Sequence, residues 1–228
     1  MTKVVIAVFD GLQPAQIDSS VCPNIHQVSQ DGCFFESHHP VFPSVTRINA
    51  ASMVTGVNPG SHGLPGNTFV ARDFDPGRVL SAMEPELAAI ASSGLPVLYT
   101  PTLQEILSTV GLEYMAIGVG TSGNAYAHNP RGEEFGGATI HPEFSIPSSI
   151  HASLLRRFGE WPAESIPNTD RYVHAMDIFL DFVLEEKNPD VALIWSSEPD
   201  KSQHAFGVGS SESCAALSQA DVQFGRLL

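Results

Sequence analysis

Three short stretches of this chain carry side chains suited to handling a phosphate group or a metal ion. Asp10 directly follows the apolar run Val4–Phe9 and precedes Gly11. A carboxylate at the end of a buried strand is held rigidly, which suits a metal ligand. Its plainer role is an Asx turn that helps Gly11 reverse the chain. The second stretch, Phe42-Pro43-Ser44-Val45-Thr46-Arg47-Ile48-Asn49, sets Thr46 just before a segment of helical character. There Thr46 serves either as an N-cap or as a nucleophile, because the N–H groups of a helix start favour a nearby anion. Asn49 lies one turn on along the same face, within reach of a phosphoryl oxygen beside Thr46. A threonine hydroxyl does not ionise unaided at neutral pH, and no paired histidine is evident locally, so activation calls for a metal ion. The third stretch runs from Ser196 to His204 and contains Glu198-Pro199-Asp200. If Pro199 opens a helical turn, Asp200 and His204 face the same way, as half of a zinc site would. An exposed Asp–His pair with no shared ligand has the same spacing.

Elements that position these residues are legible in part. Val4–Phe9 and Val191–Trp195 are continuous apolar runs rich in β-branched residues, the pattern of strands buried on both faces. Cys33–Glu36 and Tyr114–Val119 read as further strands. Pro23–Gln30, Arg47–Val54, Thr102–Val110, Arg171–Glu186 and Cys214–Leu228 read as helices, the fourth with apolar Val173, Met176, Phe179 and Leu180 at amphipathic spacing. The glycine-rich stretch 118–137 reads as an excursion over the surface. Alternating strands and helices predict an α/β fold, a three-layer sandwich with a mainly parallel central sheet. Ligands of such sheets sit beyond the carboxyl ends of the strands, where Asp10 and the segment 196–204 both fall.

Composition narrows the partners. The chain has 228 residues, enough for one large domain spanning 1–228 with a real core. It carries 25 acidic against 11 basic residues and a formal net charge of -14, which disfavours polymeric nucleic acid as a partner. Cys22, Cys33 and Cys214 are widely spaced with no CxxC, so they read as reduced thiols rather than as a disulfide framework or zinc knuckle. The N-terminal apolar run is too short to span a membrane and no cleavage signal follows it, which together predict a cytoplasmic protein without a membrane partner.

The order of these motifs resembles the type I phosphodiesterase/nucleotide pyrophosphatase family of the alkaline phosphatase superfamily. The resemblance rests on the opening strand with Asp10-Gly11, on Pro43-Ser44-Val45-Thr46 with Asn49, and on Thr55-Gly56. It continues through Pro59-Gly60-Ser61-His62-Gly63 and Glu198-Pro199-Asp200 with His204. It covers residues 1–66 and 191–207 well, while about 67–145 is divergent. It implies an alkaline phosphatase-like fold and a hydrolase of phosphodiester or related phosphate-ester bonds, acting on a small phosphate ester through a phospho-threonine intermediate. Two divalent metal ions, usually zinc, are implied: one held by Asp10 and Thr46, the other by Asp200 and His204. Asn49 would bind a phosphoryl oxygen, and His62 is read as structural.

The chain departs from the family in length. The family completes its metal set downstream, and after His204 this sequence offers only Glu212 and Asp221 and no histidine. It therefore reads as the front part of the domain, truncated at its C-terminus. On that reading it is inactive alone, with weak metal binding and disordered or altered packing over 196–210. Phosphonoacetate hydrolases share the pattern and stay open as an alternative, as do a phosphomonoesterase and a non-catalytic phosphate- or metal-binding module. Sulfatases are disfavoured, because Thr46 cannot become formylglycine. Arg47 stands where nucleotide-cleaving relatives have an aromatic, which weakens the case for a nucleotide substrate.

Overall fold

The computed structural model describes residues 3–228. Among the described residues seven strands form: β1 (Val4–Phe9), β2 (Thr68–Phe69), β3 (Leu80–Ser81), β4 (Tyr114–Gly118), β5 (Ala138–His141), β6 (Phe144–Ile146) and β7 (Val191–Ser196). Five of them make the central sheet in the order β1-β7-β4-β5-β6, and β2 and β3 form a separate antiparallel pair. β1, β7, β4 and β5 run parallel and only β6 is antiparallel. The sandwich is the α/β architecture that the strand–helix alternation predicts.

Period-two alternation in the central strands builds the layers. Met115, Ile117, Ala192 and Ile194 face one side, where Tyr172, Met176 and Phe179 pack on them. Tyr114, Ala116, Leu193 and Trp195 face the other, against Ile48, Ala51, Leu87 and Tyr126. The register sets Phe9 beside Ser196 and Gly118 beside Trp195, so the carboxyl ends of β1, β7 and β4 lie level along one edge of the sheet.

Four expectations are corrected. β1 is not buried on both faces: it is an edge strand, and Val4 and Val5 stay 47% and 42% exposed because no described residue pairs with its outer side. Cys33–Glu36 is not a strand: it pairs with no strand among the described residues, and Phe34 and Phe35 are exposed. Residues 118–137 are not a surface excursion. They contain the helix Ser122–His128, buried along its whole length because its small residues permit close approach. A Cβ on Gly123 would come within 1.7 Å of the Ala82 carbonyl oxygen. Finally, of the disorder or altered packing expected over 196–210, the disorder gives way to a regular helix, Asp200–Phe206.

Other helices follow their predicted places, including Pro23–Asp31, Thr46–Thr55, Leu103–Ser108 and Ser211–Gly225. The amphipathic helix runs Thr169–Ile178 and then widens to a π-helix over Phe179–Lys187 before Asn188, in the left-handed region, ends it. β5, β6 and the β2–β3 pair carry too short a pattern to be read from the sequence.

Candidate active site

Asp10 is fixed by its backbone on both sides. Its N–H donates to the Ser196 carbonyl at 3.1 Å, and its own carbonyl accepts from the Asp200 N–H at 2.9 Å. The end of β1 is thereby tied to the start of helix Asp200–Phe206. Gly11 is required at this crossing: its φ is +75°, and a Cβ there would lie 2.8 Å from the Asp200 Cα.

Thr46 is not the N-cap of its helix. Val45 occupies the cap, and Thr46 is the first helical residue. Its hydroxyl is free to point across the sheet edge, where Oγ1 donates to Asp10 Oδ2 at 3.2 Å. The Trp195 indole N–H approaches the same oxygen at 3.4 Å. Burial, and secondly the nearby Asp200 carboxylate, raise the Asp10 pKa to about 6.

Asn49 shares the helix face of Thr46, but its amide is occupied mainly by the preceding loop. Oδ1 accepts from the Val41 N–H at 3.0 Å and Nδ2 donates to the Val45 carbonyl at 3.0 Å. An amide nitrogen has two hydrogens, so one N–H is uncommitted by these bonds. Arg47 donates from Nε to Thr121 Oγ1 at 3.2 Å. Burial alone pulls its pKa down from the usual arginine value.

Asp200 and His204 do fall on one helix face, with His204 Nε2 3.5 Å from Asp200 Oδ1, but the imidazole is 81% exposed. The structure brings Asp10, Thr46 and Asp200 together around a cavity of about 190 Å³, with Gly120, Thr121, Ser197, Arg171 and Lys201 also on its wall. His204 sits outside that lining.

Two carboxylates sharing a partly buried corner repel each other unless a cation lies between them. The oxygen and imidazole donors also suit a divalent ion such as zinc. Asp10 with Thr46, and Asp200 with His204, offer two such donors each. Among the described residues no group of three or more His, Cys, Asp or Glu gathers to close a metal site.

Sequence reasoning missed Glu198 as the residue that positions the second half-site. It is almost wholly buried, with Oε1 accepting from the Asn168 N–H at 2.8 Å and Oε2 from the Ser202 N–H at 3.0 Å. It thus anchors the first turn of the helix that carries Asp200 and His204. A carboxylate one residue before a proline at a helix start is the available signal, and it reads equally well as a surface charge. His62 is structural, as expected: fully buried, it accepts at Nδ1 from the Leu64 N–H and meets Ser52 Oγ through Nε2 at 3.0 Å. Asp221 accepts from Asn24 and Ile25 at the start of helix Pro23–Asp31, which fixes it as a brace between helices.

A mostly parallel sheet flanked by helices, with a hydroxyl and two carboxylates at its carboxyl edge, defines an alkaline phosphatase-like α/β sandwich. Solved structures agree on the fold. Phosphonoacetate hydrolase from Sinorhizobium meliloti, in complex with phosphonoformate, superposes with a TM-score of 0.72 at 19% identity, over 99% of this chain and 53% of that one. Murine ectonucleotide pyrophosphatase/phosphodiesterase 5, as an inactive variant in complex with AMP, gives 0.65 at 16% identity, over 100% of this chain and 51% of that one. The chain belongs to the type I phosphodiesterase/nucleotide pyrophosphatase family, whose model matches residues 4–228. It is 25% identical over 230 residues to venom phosphodiesterase of Macrovipera lebetinus, and 22% identical over 232 residues to an uncharacterised pyrophosphatase/phosphodiesterase of Schizosaccharomyces pombe. It spans 23% and 40% of the length of those two proteins. No helix among the described residues is long and apolar enough to cross a membrane.

Proposed function

We propose that this chain supplies the nucleophile and part of the metal-ligand set of a metal-dependent hydrolase of phosphodiester or related phosphate-ester bonds. The observation that carries this reading is the 3.2 Å hydrogen bond from Thr46 Oγ1 to Asp10 Oδ2, both lining a cavity at the carboxyl edge of the sheet. Membership of the phosphodiesterase/pyrophosphatase family supports it.

On this reading Thr46 Oγ attacks phosphorus, with its proton already directed at Asp10 Oδ2. The bond from phosphorus to the leaving oxygen breaks, the leaving group takes up a proton, and water then cleaves the phospho-threonine to free Thr46. Divalent ions held by Asp10 with Thr46 and by Asp200 with His204 would lower the pKa of the hydroxyl and offset charge on the phosphoryl and leaving oxygens. Asn49 would steady a phosphoryl oxygen through its second amide N–H. The substrate is a small phosphate ester, in keeping with the cavity's size, and activity belongs to a protein in which both metal positions are filled.

A second reading, a phosphonoacetate hydrolase, is favoured by the structural likeness to that enzyme and by Arg47 beside the nucleophile. Turnover of bis-p-nitrophenyl phosphate and of phosphonoacetate in zinc-containing buffer separates the two. Turnover of neither, by a protein that binds zinc and phosphate, would leave the non-catalytic binding module as the correct reading.

A further inference from the structure

The backbone of Asp10 is tied on both sides, to Ser196 and to Asp200, but those bonds do not fix its carboxylate. The terminal torsion of an aspartate is broad and roughly two-fold, so an unheld carboxylate rocks and exchanges its oxygens. Thr46 cannot hold it alone. A helical threonine has two open χ1 wells, and Thr46 Oγ1 makes no hydrogen bond among the described residues other than the one to Asp10. Two soft torsions facing each other do not define a geometry.

Trp195 supplies the rigid third member. Its indole N–H donates at 3.4 Å to Asp10 Oδ2, the oxygen that also receives the Thr46 hydroxyl at 3.2 Å. Both side-chain donors fall on this one oxygen, so the two oxygens of the carboxylate are not equivalent. The indole is buried among Tyr114, Ala116 and Leu193. The His128 ring packs on it with centroids 5.5 Å apart, and the imidazole is held in turn by the Tyr114 hydroxyl, 3.0 Å from Nδ1. A buried indole has one polar group, which needs a partner. Here that partner is the carboxylate beside the nucleophile. The sheet register brings the two together, since Trp195 pairs with Val8, two residues before Asp10.

We propose that Trp195 is a positioning residue: its N–H fixes Oδ2 of Asp10 where the Thr46 hydroxyl must adopt one rotamer to reach it. This rests on the phosphoester reading above and adds to it the residue that orients the nucleophile.

The chain has two tryptophans, Trp161 and Trp195, so a 15N-edited NMR spectrum shows two indole N–H signals, which Trp161→Phe assigns. In metal-free protein, Asp10→Ala should move the Trp195 signal upfield and leave that of Trp161 in place. Trp195→Phe keeps an aromatic ring against His128 and removes the donor. In that variant the three-bond couplings that report the Thr46 χ1 angle should pass from the values of one rotamer to averaged ones. An unmoved Trp195 signal, or a Thr46 that keeps one rotamer, would reduce Trp195 to core packing and overturn the assignment. The Asp10→Ala measurement decides the contact even where Trp195→Phe does not fold. In zinc-loaded protein, transfer of phosphate to Thr46 in a single turnover should slow about 10- to 100-fold in Trp195→Phe, with KM unchanged, as loss of one hydrogen bond to a charged group predicts. An unchanged rate would refute the positioning role alone. A wild type that never carries phosphate on Thr46 would refute the phosphoester reading itself, a result distinct from both NMR outcomes.

Discussion

The two halves of the site are built to different standards. Asp10 and Thr46 come from different elements, the end of β1 and the first turn of helix Thr46–Thr55, yet they meet in a hydrogen bond with the Trp195 indole behind them. Asp200 and His204 come from one helix, and their geometry is set by its pitch alone, with the imidazole largely in solvent. The first half is preorganised by the sheet. The second has a well-braced backbone and a free side chain, so its precision depends on what it binds. Substitutions should therefore act very differently on the two halves.

The largest stability effect should come from the brace beneath the exposed half. Glu198→Ala leaves the buried Asn168 and Ser202 N–H groups without an acceptor. It should cost about 3 kcal/mol in chemical denaturation. A loss below about 1 kcal/mol would show that the second half-site does not depend on this carboxylate.

Behind the preorganised half lies His128, fully buried, with Nδ1 3.0 Å from the Tyr114 hydroxyl and its ring against Trp195. Burial lowers its pKa to about 4. Because the unfolded chain takes up that proton more readily, His128 favours folding above about pH 6.5, and this contribution is lost as the pH falls towards 4. The loss is on the order of 3 kcal/mol. Denaturation midpoints between pH 4 and 7 should flatten in His128→Phe, even though that variant also strands the Tyr114 hydroxyl. An unchanged slope would contradict the assignment.

A smaller effect of opposite sign is expected at Asp10 in metal-free protein. Its folded pKa of about 6 lies above the ordinary carboxylate value, so it costs stability above about pH 6, and that cost vanishes as the pH falls towards 4. Asp10→Asn should stabilise the chelator-treated chain at pH 8 by about 2 kcal/mol and weaken zinc binding. A destabilised variant would mean that Asp10 is a structural hydrogen-bond acceptor first. Smallest of all, His204→Ala should change stability by less than about 0.5 kcal/mol, as surface substitutions do. Calorimetry should nevertheless show weaker zinc binding, and unchanged zinc affinity would remove His204 from the second half-site.

Much of this contrast was legible in the sequence. The apolar runs gave β1 and β7, and the residues following them marked the sheet edge. The spacing of Asp200 and His204 was enough to put them on one face, because a helix pitch is a local rule. Thr46 was less readable: its place just inside the helix, rather than at the cap, depends on Val45 and on the distant Asp10. Glu198 could not be recognised, because its acceptor role joins backbone N–H groups 30 residues and 4 residues away. The buried helix Ser122–His128 was misread for a related reason. Its Gly, Ala and Asn residues look like loop composition until Ala82 closes against Gly123.

Phosphoryl transfer through the Thr46 oxygen leaves a covalent mark on the protein. The direct measurement is to mix zinc-loaded protein with a phosphate ester, quench in acid within the turnover time, and map the peptide that retains phosphate by mass spectrometry. One phosphoryl group should appear on Thr46 and be absent in Thr46→Ala, with hydrolysis in that variant down about 1,000-fold or more. Phosphate on another residue, or Thr46→Ala turning over at the wild-type rate, would contradict it.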